Sequence, residues 1–249
     1  MQKNKQTSSG KIIFISLLVM VLALTSFAWL DQKDHLESAY AAIQSGDNDL
    51  AKLHISKLRD LNKPSKNKAT LLMAACEYGN NEIINNLLKL GADVNFTVEG
   101  ELTPLELFCS RGYESGSATL SMLLNAGAKQ SQYKEMPPIL HLANKFESMT
   151  EEQLTVATEE VVLLLKNGAP LQYEKTTILH LAAQNNMAEF FDMLVHTKQG
   201  LPLLAVKDAD GLTPWNVAVR YSAIDVQKVI RALEEEGSLP ESESGQPGI

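Results

Sequence analysis

Five histidines, two cysteines and a scatter of hydroxyls are the side chains of this 249-residue chain that could ligate a metal, move a proton or attack a carbonyl. Metal chemistry needs donors that converge on one ion, which sequences supply as His-Glu-x-x-His on a helix or as paired Cys-x-x-Cys. Neither is present: His35, His54, His141, His180 and His196 are dispersed, and Cys76 and Cys109 lie 33 residues apart. Ser9-Gly10-Lys11 lacks the leading glycine of a phosphate-binding loop, and no G-x-S-x-G turn offers a nucleophile. No histidine has a legible nucleophile and orienting partner beside it. Asn95-Phe96-Thr97 has the form of a glycosylation sequon and is read as coincidence. The chemistry-bearing residues therefore point to no catalytic set, no metal and no cofactor, and the chain is expected not to be an enzyme.

The elements that carry these residues repeat. Gly46, Gly79 and Gly112 recur every 33 residues, and Thr70 to Thr103 keeps the same interval. Units of that size cannot bury their own apolar faces, so they stack and offer a continuous surface to a partner. Thr70 to Cys76 reads as a short helix ending before Gly79. Glu82 to Leu90 supplies Ile83, Ile84, Leu87 and Leu88 at helical spacing. Gly79 and Gly91 each follow an apolar helix face, where a left-handed residue costs glycine no Cβ clash.

The run TLLMAACEYGNNEIINNLLKLGADVN, residues 70–95, resembles an ankyrin repeat almost position for position. The later units resemble the same family. They start at Thr103-Pro-Leu, at Pro138-Ile-Leu-His-Leu-Ala143, at Thr177-Ile-Leu-His-Leu-Ala-Ala183 and at Thr213-Pro-Trp, with starts 35, 39 and 36 residues apart. The third departs from the family by about nine extra residues around Glu147 to Thr158. There Thr150 followed by Gln153 reads as a capping box that lengthens the second helix. The resemblance implies an all-α solenoid of stacked helix-turn-helix units with short hairpin loops. Its expected layout is a cap over 36–63, repeats over about 69–97, 102–132, 137–172, 176–206 and 208–237, and an irregular exit from Thr197 to Val206. The repeat domain spans 31–237, and residues 238–249, rich in Ser, Glu, Pro and Gly, form an acidic tail expected to be disordered.

Residues 1–30 stand outside the array. Ile12 to Leu30 is 19 residues without a charge, long enough to cross a bilayer as a helix. Lys3, Lys5 and Lys11 precede it, while Asp31, Asp34 and Glu37 with only Lys33 follow. That bias holds the amino terminus in the cytoplasm and exports the repeats as a single-pass protein of the cell membrane. The same stretch also reads as a signal peptide with Ser26 and Ala28 before a cut, which would leave the repeats soluble in the periplasm. The chain carries a net charge of −8, and the acids are concentrated after residue 30. Such a domain repels phosphate backbones and anionic lipid, so nucleic acid is excluded and the membrane is met through the amino-terminal segment alone. A partner with a basic face would suit it.

In the ankyrin family the contact surface is the concave face, built from hairpin tips and the two residues before the glycine that ends each first helix. Carried over residue by residue, the partner-binding pairs are Glu77 and Tyr78, Ser110 and Arg111, Lys145 and Phe146, Gln184 and Asn185, and Arg220 and Tyr221, with Gln44 and Ser45 in the cap. Tyr78, Arg111, Phe146 and Tyr221 are of the types that dominate binding hot spots. Phe96, Tyr133 and Tyr173 would add aromatic rings at the hairpins. His141 and His180 occupy a position that is structural in the family. Cys76 and Cys109 sit in equivalent helices about 8 to 10 Å apart, beyond the reach of a disulfide, and read as buried thiols. The resulting expectation is a non-catalytic adaptor displayed outside the cytoplasm, binding a protein partner that it protects or neutralises. Two other readings stand beside it: a secreted host-directed effector, and an enzyme or ligand receptor with its site in the insertion of the third repeat.

Overall fold

The computed structural model describes residues 6–98, 101–111, 116–130, 137–143, 145 and 149–238. Helices come in pairs along the chain. The first pair is α1 (Gln6–Ser45) with α2 (Asn48–Ile55), followed by α3 (Leu71–Glu77) with α4 (Asn81–Lys89) and α5 (Pro104–Arg111) with α6 (Gly116–Asn125). Then come α7 (Pro138–Ala143) with α8 (Glu151–Lys166), α9 (Ile178–Gln184) with α10 (Ala188–Val195), and α11 (Pro214–Arg220) with α12 (Ile224–Glu235). The first helices of successive pairs pack side by side from α1 through α11, and α2, α4, α6 and α8 form a second row, as do α10 and α12. One apolar core runs through the stack from Leu36 to Leu233.

Four of the first helices, α3, α5, α9 and α11, start the same way because threonine stands at the N-cap, whereas α7 follows Pro137. The hydroxyls of Thr70, Thr103, Thr177 and Thr213 accept from the backbone N–H three residues on, at 3.1 to 3.4 Å. The side chains at that third position, Met73, Glu106, His180 and Asn216, accept in return from the threonine N–H. This reciprocal cap satisfies two donors that a helix start leaves open, and its loss costs about 1 kcal/mol. Four of the first helices, α1, α3, α9 and α11, are followed by a residue with positive φ: 77° at Gly46 and 65° at Gly79, but 51° at Asn186 and 54° at Ser222, where no glycine stands.

The fourth pair, α7 with α8, differs as the sequence of the third repeat implies. α8 has 16 residues against eight to ten in α4, α6 and α10. Thr150 and Gln153 form the capping box read from the sequence: Thr150 N–H donates to Gln153 Oε1 at 2.7 Å and Gln153 N–H to Thr150 Oγ1 at 3.4 Å. From Glu151 on the added residues belong to α8, which packs on α6 and α7. The irregular exit after Thr197 is a 3₁₀ turn over Leu201–Ala205. It is reached through Gly200, whose N–H donates to Thr197 Oγ1 at 3.0 Å. The fourth unit opens on a two-stranded hairpin, β1 (Gln172–Tyr173) and β2 (Thr176–Thr177), paired antiparallel with Gln172 opposite Thr177.

At the amino terminus, α1 runs unbroken through residues 30 and 31, so the apolar segment and the first helix of the cap are one rod, about 60 Å long at 1.5 Å per residue. Among the described residues no helix is long and apolar enough to cross a membrane. The side chains of residues 12–16, 23, 24, 27 and 28 of the apolar run lie outside them, as does the tail over 239–249.

Candidate protein-binding surface

The first helices of the array end along one side of the stack, and the residues assigned to partner binding occupy those ends. In the cap, Gln44 Nε2 donates to the Tyr78 hydroxyl at 3.1 Å, so two adjacent members of the column are bonded to each other. Tyr78 is half-buried and Glu77 exposed beside it. Burial raises the phenol of neighbouring Tyr40, whose hydroxyl meets the side chains of Asn67 and Tyr78. Ser110 spends its hydroxyl on its own helix, donating to Leu107 O at 2.8 Å, and Arg111 is the last residue of α5. Lys145 is exposed just past α7. Phe146 and Tyr133 lie outside the described residues.

The fourth and fifth units bring the most together. Gln184, Arg220 and Tyr221 line one cleft of about 460 Å³ with Tyr173, Glu174, Asp208 and Asp210 from the hairpins, and with His180 at its floor. Tyr221 is 51% exposed, while Tyr173 is half-buried. Asn185 is not free to recognise a partner, because its Nδ2 donates to Leu181 O at 2.9 Å and finishes α9. Three carboxylates face one guanidinium here. Arg220 Nη1 pairs with Asp210 Oδ2 at 3.0 Å across exposed side chains, an arrangement worth little in stability. Asp208 holds the hairpin turn by accepting from the N–H groups of Asp210 and Leu212 through one oxygen, each at 2.9 Å. His180 adds no charge: burial lowers its pKa, Nδ1 meets Thr177 Oγ1 at 2.8 Å, and Nε2 meets Leu212 O at 3.0 Å in the next unit. It is a staple between repeats, the structural role implied for that position.

Asp208, Asp210, Glu174 and His180 were not among the residues read as binding. The aromatic rings of the hairpins mark those positions, and the signal for the acids is the Asp-Ala-Asp-Gly turn two residues before Thr213.

Glu160, in α8, was also missed. It is 1% exposed, and neither carboxylate oxygen has a hydrogen-bond partner among the described residues. Burial, with a smaller push from Glu159, raises its pKa to about 7. The sequence did carry a sign, since Glu160 stands three residues after buried Ala157 and four before buried Leu164, on the apolar face of the helix. Cys76 and Cys109 are both buried and unpaired, their thiols pushed well above the ordinary range by burial. A second, open cleft of about 720 Å³, lined by Lys129, Gln130 and Asn167 among others, lies at the carboxyl end of α8. Among the described residues no cluster of three or more His, Cys, Asp or Glu is placed to hold a metal ion.

Residues 39–134 match the family model for ankyrin repeats in three copies. No curated protein matches the sequence. Among solved structures, the chain is similar to the human ASB11 ankyrin repeat domain at 20% identity and a TM-score of 0.58. That similarity covers 78% of this chain and 96% of that one. The fold is therefore a mostly helical ankyrin-repeat stack, a scaffold whose stacked units present an extended concave surface for binding proteins.

Proposed function

We propose that this protein is a non-catalytic adaptor, tethered to the membrane by α1 and displaying its repeats outside the cytoplasm, that binds a protein partner through the concave side of the fourth and fifth repeats. The observation that carries the binding site is the cleft itself, where half-exposed Tyr221 stands beside Asp208, Asp210 and Glu174. An aromatic ring flanked by carboxylates receives a lysine or arginine of the partner, through cation–π attraction on the ring and charge-assisted bonds to the acids. The acid-rich composition of the chain supports the same choice of partner.

Tethering is supported by the exposure of α1. Six consecutive apolar side chains, Leu17 to Leu22, are 49 to 61% exposed. At about 100° per residue they point in every direction around the helix. A single protein groove would cover one stripe, whereas hydrocarbon covers all sides. The charge bias across the segment supports export of the repeats.

The test is crosslinked capture from an extract of the cell envelope, comparing the native chain with Tyr221→Ala and with Asp208→Asn/Asp210→Asn, each checked by circular dichroism. A specific partner lost from both variants is expected. A partner captured equally by all three would place binding elsewhere.

A further inference from the structure

The loop between α2 and α3 departs from the acidity of the chain. Residues 56–68 hold five bases, Lys57, Arg59, Lys63, Lys66 and Lys68, against the single acid Asp60, a net +4 in a chain that totals −8. This loop is fastened to α1 just past the apolar run. Gln32 Nε2 donates to Lys57 O and Gln32 Oε1 accepts from Arg59 N–H, both at 2.9 Å, and Glu37 Oε1 accepts from Lys66 N–H at 2.8 Å. Every one of these bonds uses the loop's backbone. The basic side chains are left over, and those of Lys57, Arg59, Lys66 and Lys68 are exposed. Asn62 ties the same loop to the next hairpin by accepting from Asp93 N–H at 2.8 Å.

The loop also meets the end of the apolar run directly. The indole of Trp29 has Lys33 Nζ at 5.5 Å and Lys63 Nζ at 5.6 Å from its ring centre. Tryptophan with lysine at the end of an apolar helix is the composition that sits at a membrane interface. Gln32 and Glu37 follow Leu30 by about 3 and 10 Å along the helix axis at 1.5 Å per residue. The bases are thus held within roughly one Debye length of the point where the apolar segment ends. The acids of α1 do not cancel them. Asp31 lies about 200° around the helix from Trp29 and Asp34 about 140°, on the far side from the loop. Asp31 faces His35 at 3.5 Å, and Glu37, which reaches the loop at Lys66 N–H and keeps its charge, leaves six bases with Lys33 included against Asp60 and Glu37, still a net +4.

We infer that residues 56–68, with Trp29 and Lys33, form a basic collar that seats the first end of the repeat stack on the anionic lipid headgroups surrounding α1. This rests on the membrane tether proposed above. It departs from the expectation that the acidic domain meets the membrane through its amino-terminal segment alone, because the loop beside the end of the apolar run carries the opposite sign to the chain. Each base held at such a surface strengthens docking about fivefold, and the effect falls with salt.

The experiment uses the full chain reconstituted into vesicles of phosphatidylcholine alone and of phosphatidylcholine mixed with phosphatidylglycerol. Lysines are then labelled with an amine-reactive reagent and read by mass spectrometry. Flotation with both vesicle types is expected. Lys57, Lys66 and Lys68 should label at least fivefold more slowly on the mixed vesicles, with protection lost in high salt and exposed Lys89, Lys129 and Lys166 unchanged. In Lys63→Gln/Lys66→Gln, which leaves the backbone bonds in place, Lys57 and Lys68 should regain most of their reactivity. If the chain floats but the collar labels alike on both vesicle types, the collar is refuted and the tether stands. If the chain floats with neither, the tether fails and the collar with it.

Discussion

Replacing Glu160 with glutamine should remove a pH-dependent penalty that the native fold carries. The carboxyl titrates near 7 in the folded state and near 4.5 when unfolded. Between those values the folded chain keeps a proton that the unfolded chain has lost, so stability falls as pH rises through the window and levels off above it. With those two pKa values, the linkage relation gives a penalty of about 3 kcal/mol at pH 8 and about 1 kcal/mol at pH 5. Other groups titrate in the same range. His180, with its pKa lowered by burial, costs stability in the opposite direction, as pH falls below the unfolded value of 6.5. The quantity to measure is therefore the difference between variant and native chain, in which His180 cancels. Urea unfolding followed by circular dichroism at pH 5 and pH 8 should show Glu160→Gln gaining about 2 to 3 kcal/mol relative to the native chain between the two pH values. At a urea slope of about 2 kcal/mol per molar, that is a relative midpoint shift of about 1 M. A difference that stays constant within about 0.5 kcal/mol would mean the carboxylate is solvated or partnered in solution, and the argument from its burial would fall.

Gly200→Ala should cost about 1 to 3 kcal/mol, because a Cβ there meets Leu194 O at 1.8 Å and the turn into the last repeat must shift; thermal unfolding reads it. Ser222→Gly should stabilise by about 0.5 to 1 kcal/mol, since φ is 54° at a residue that pays for its Cβ, and a lower unfolding midpoint would contradict this. Thr150→Ala should cost about 1 kcal/mol and speed amide exchange in the first turn of α8 while leaving α12 unaffected.

Much of the stack is legible because its signals are local. Thr70, Thr177 and Thr213 announce helix starts through side chains three residues away, and Thr150 with Gln153 announces the lengthened helix in the third unit. What escapes is set by contacts across units. Asn186 and Ser222 take the left-handed conformation that the sequence marks with glycine in Gly46 and Gly79, and Asn186 spends its side chain on Asp225 and Val226 of the next unit. The helix-end column assigned to binding was legible as positions along the stack, but which of its side chains are already bonded within the fold was not. Asn185 and Ser110 are spent on capping their own helices, and Gln44 and Tyr78 on each other, while the acids that complete the cleft come from a hairpin one unit on. Which helix ends remain open for a partner depends on these small bonds, and they follow from packing rather than from repeat period.

The two charged features lie at opposite ends of the stack, and their signs are opposed. The basic collar is fixed beside the end of α1's apolar run, and the acidic cleft is built by the fourth and fifth repeats, the far end of the row that α1 begins. A partner with a basic face is therefore repelled at the collar and attracted at the cleft. On the membrane-tethered reading proposed above, seating the collar on anionic headgroups would neutralise the end that repels and sharpen the preference for the distal cleft. If that holds, capture by the full chain on anionic vesicles is stronger than on neutral ones, Asp208→Asn/Asp210→Asn removes the advantage, and Lys63→Gln/Lys66→Gln narrows it by raising capture on neutral vesicles. An advantage that survives the loss of both aspartates would show that lipid acts on the partner directly and that the charge separation along the stack plays no part.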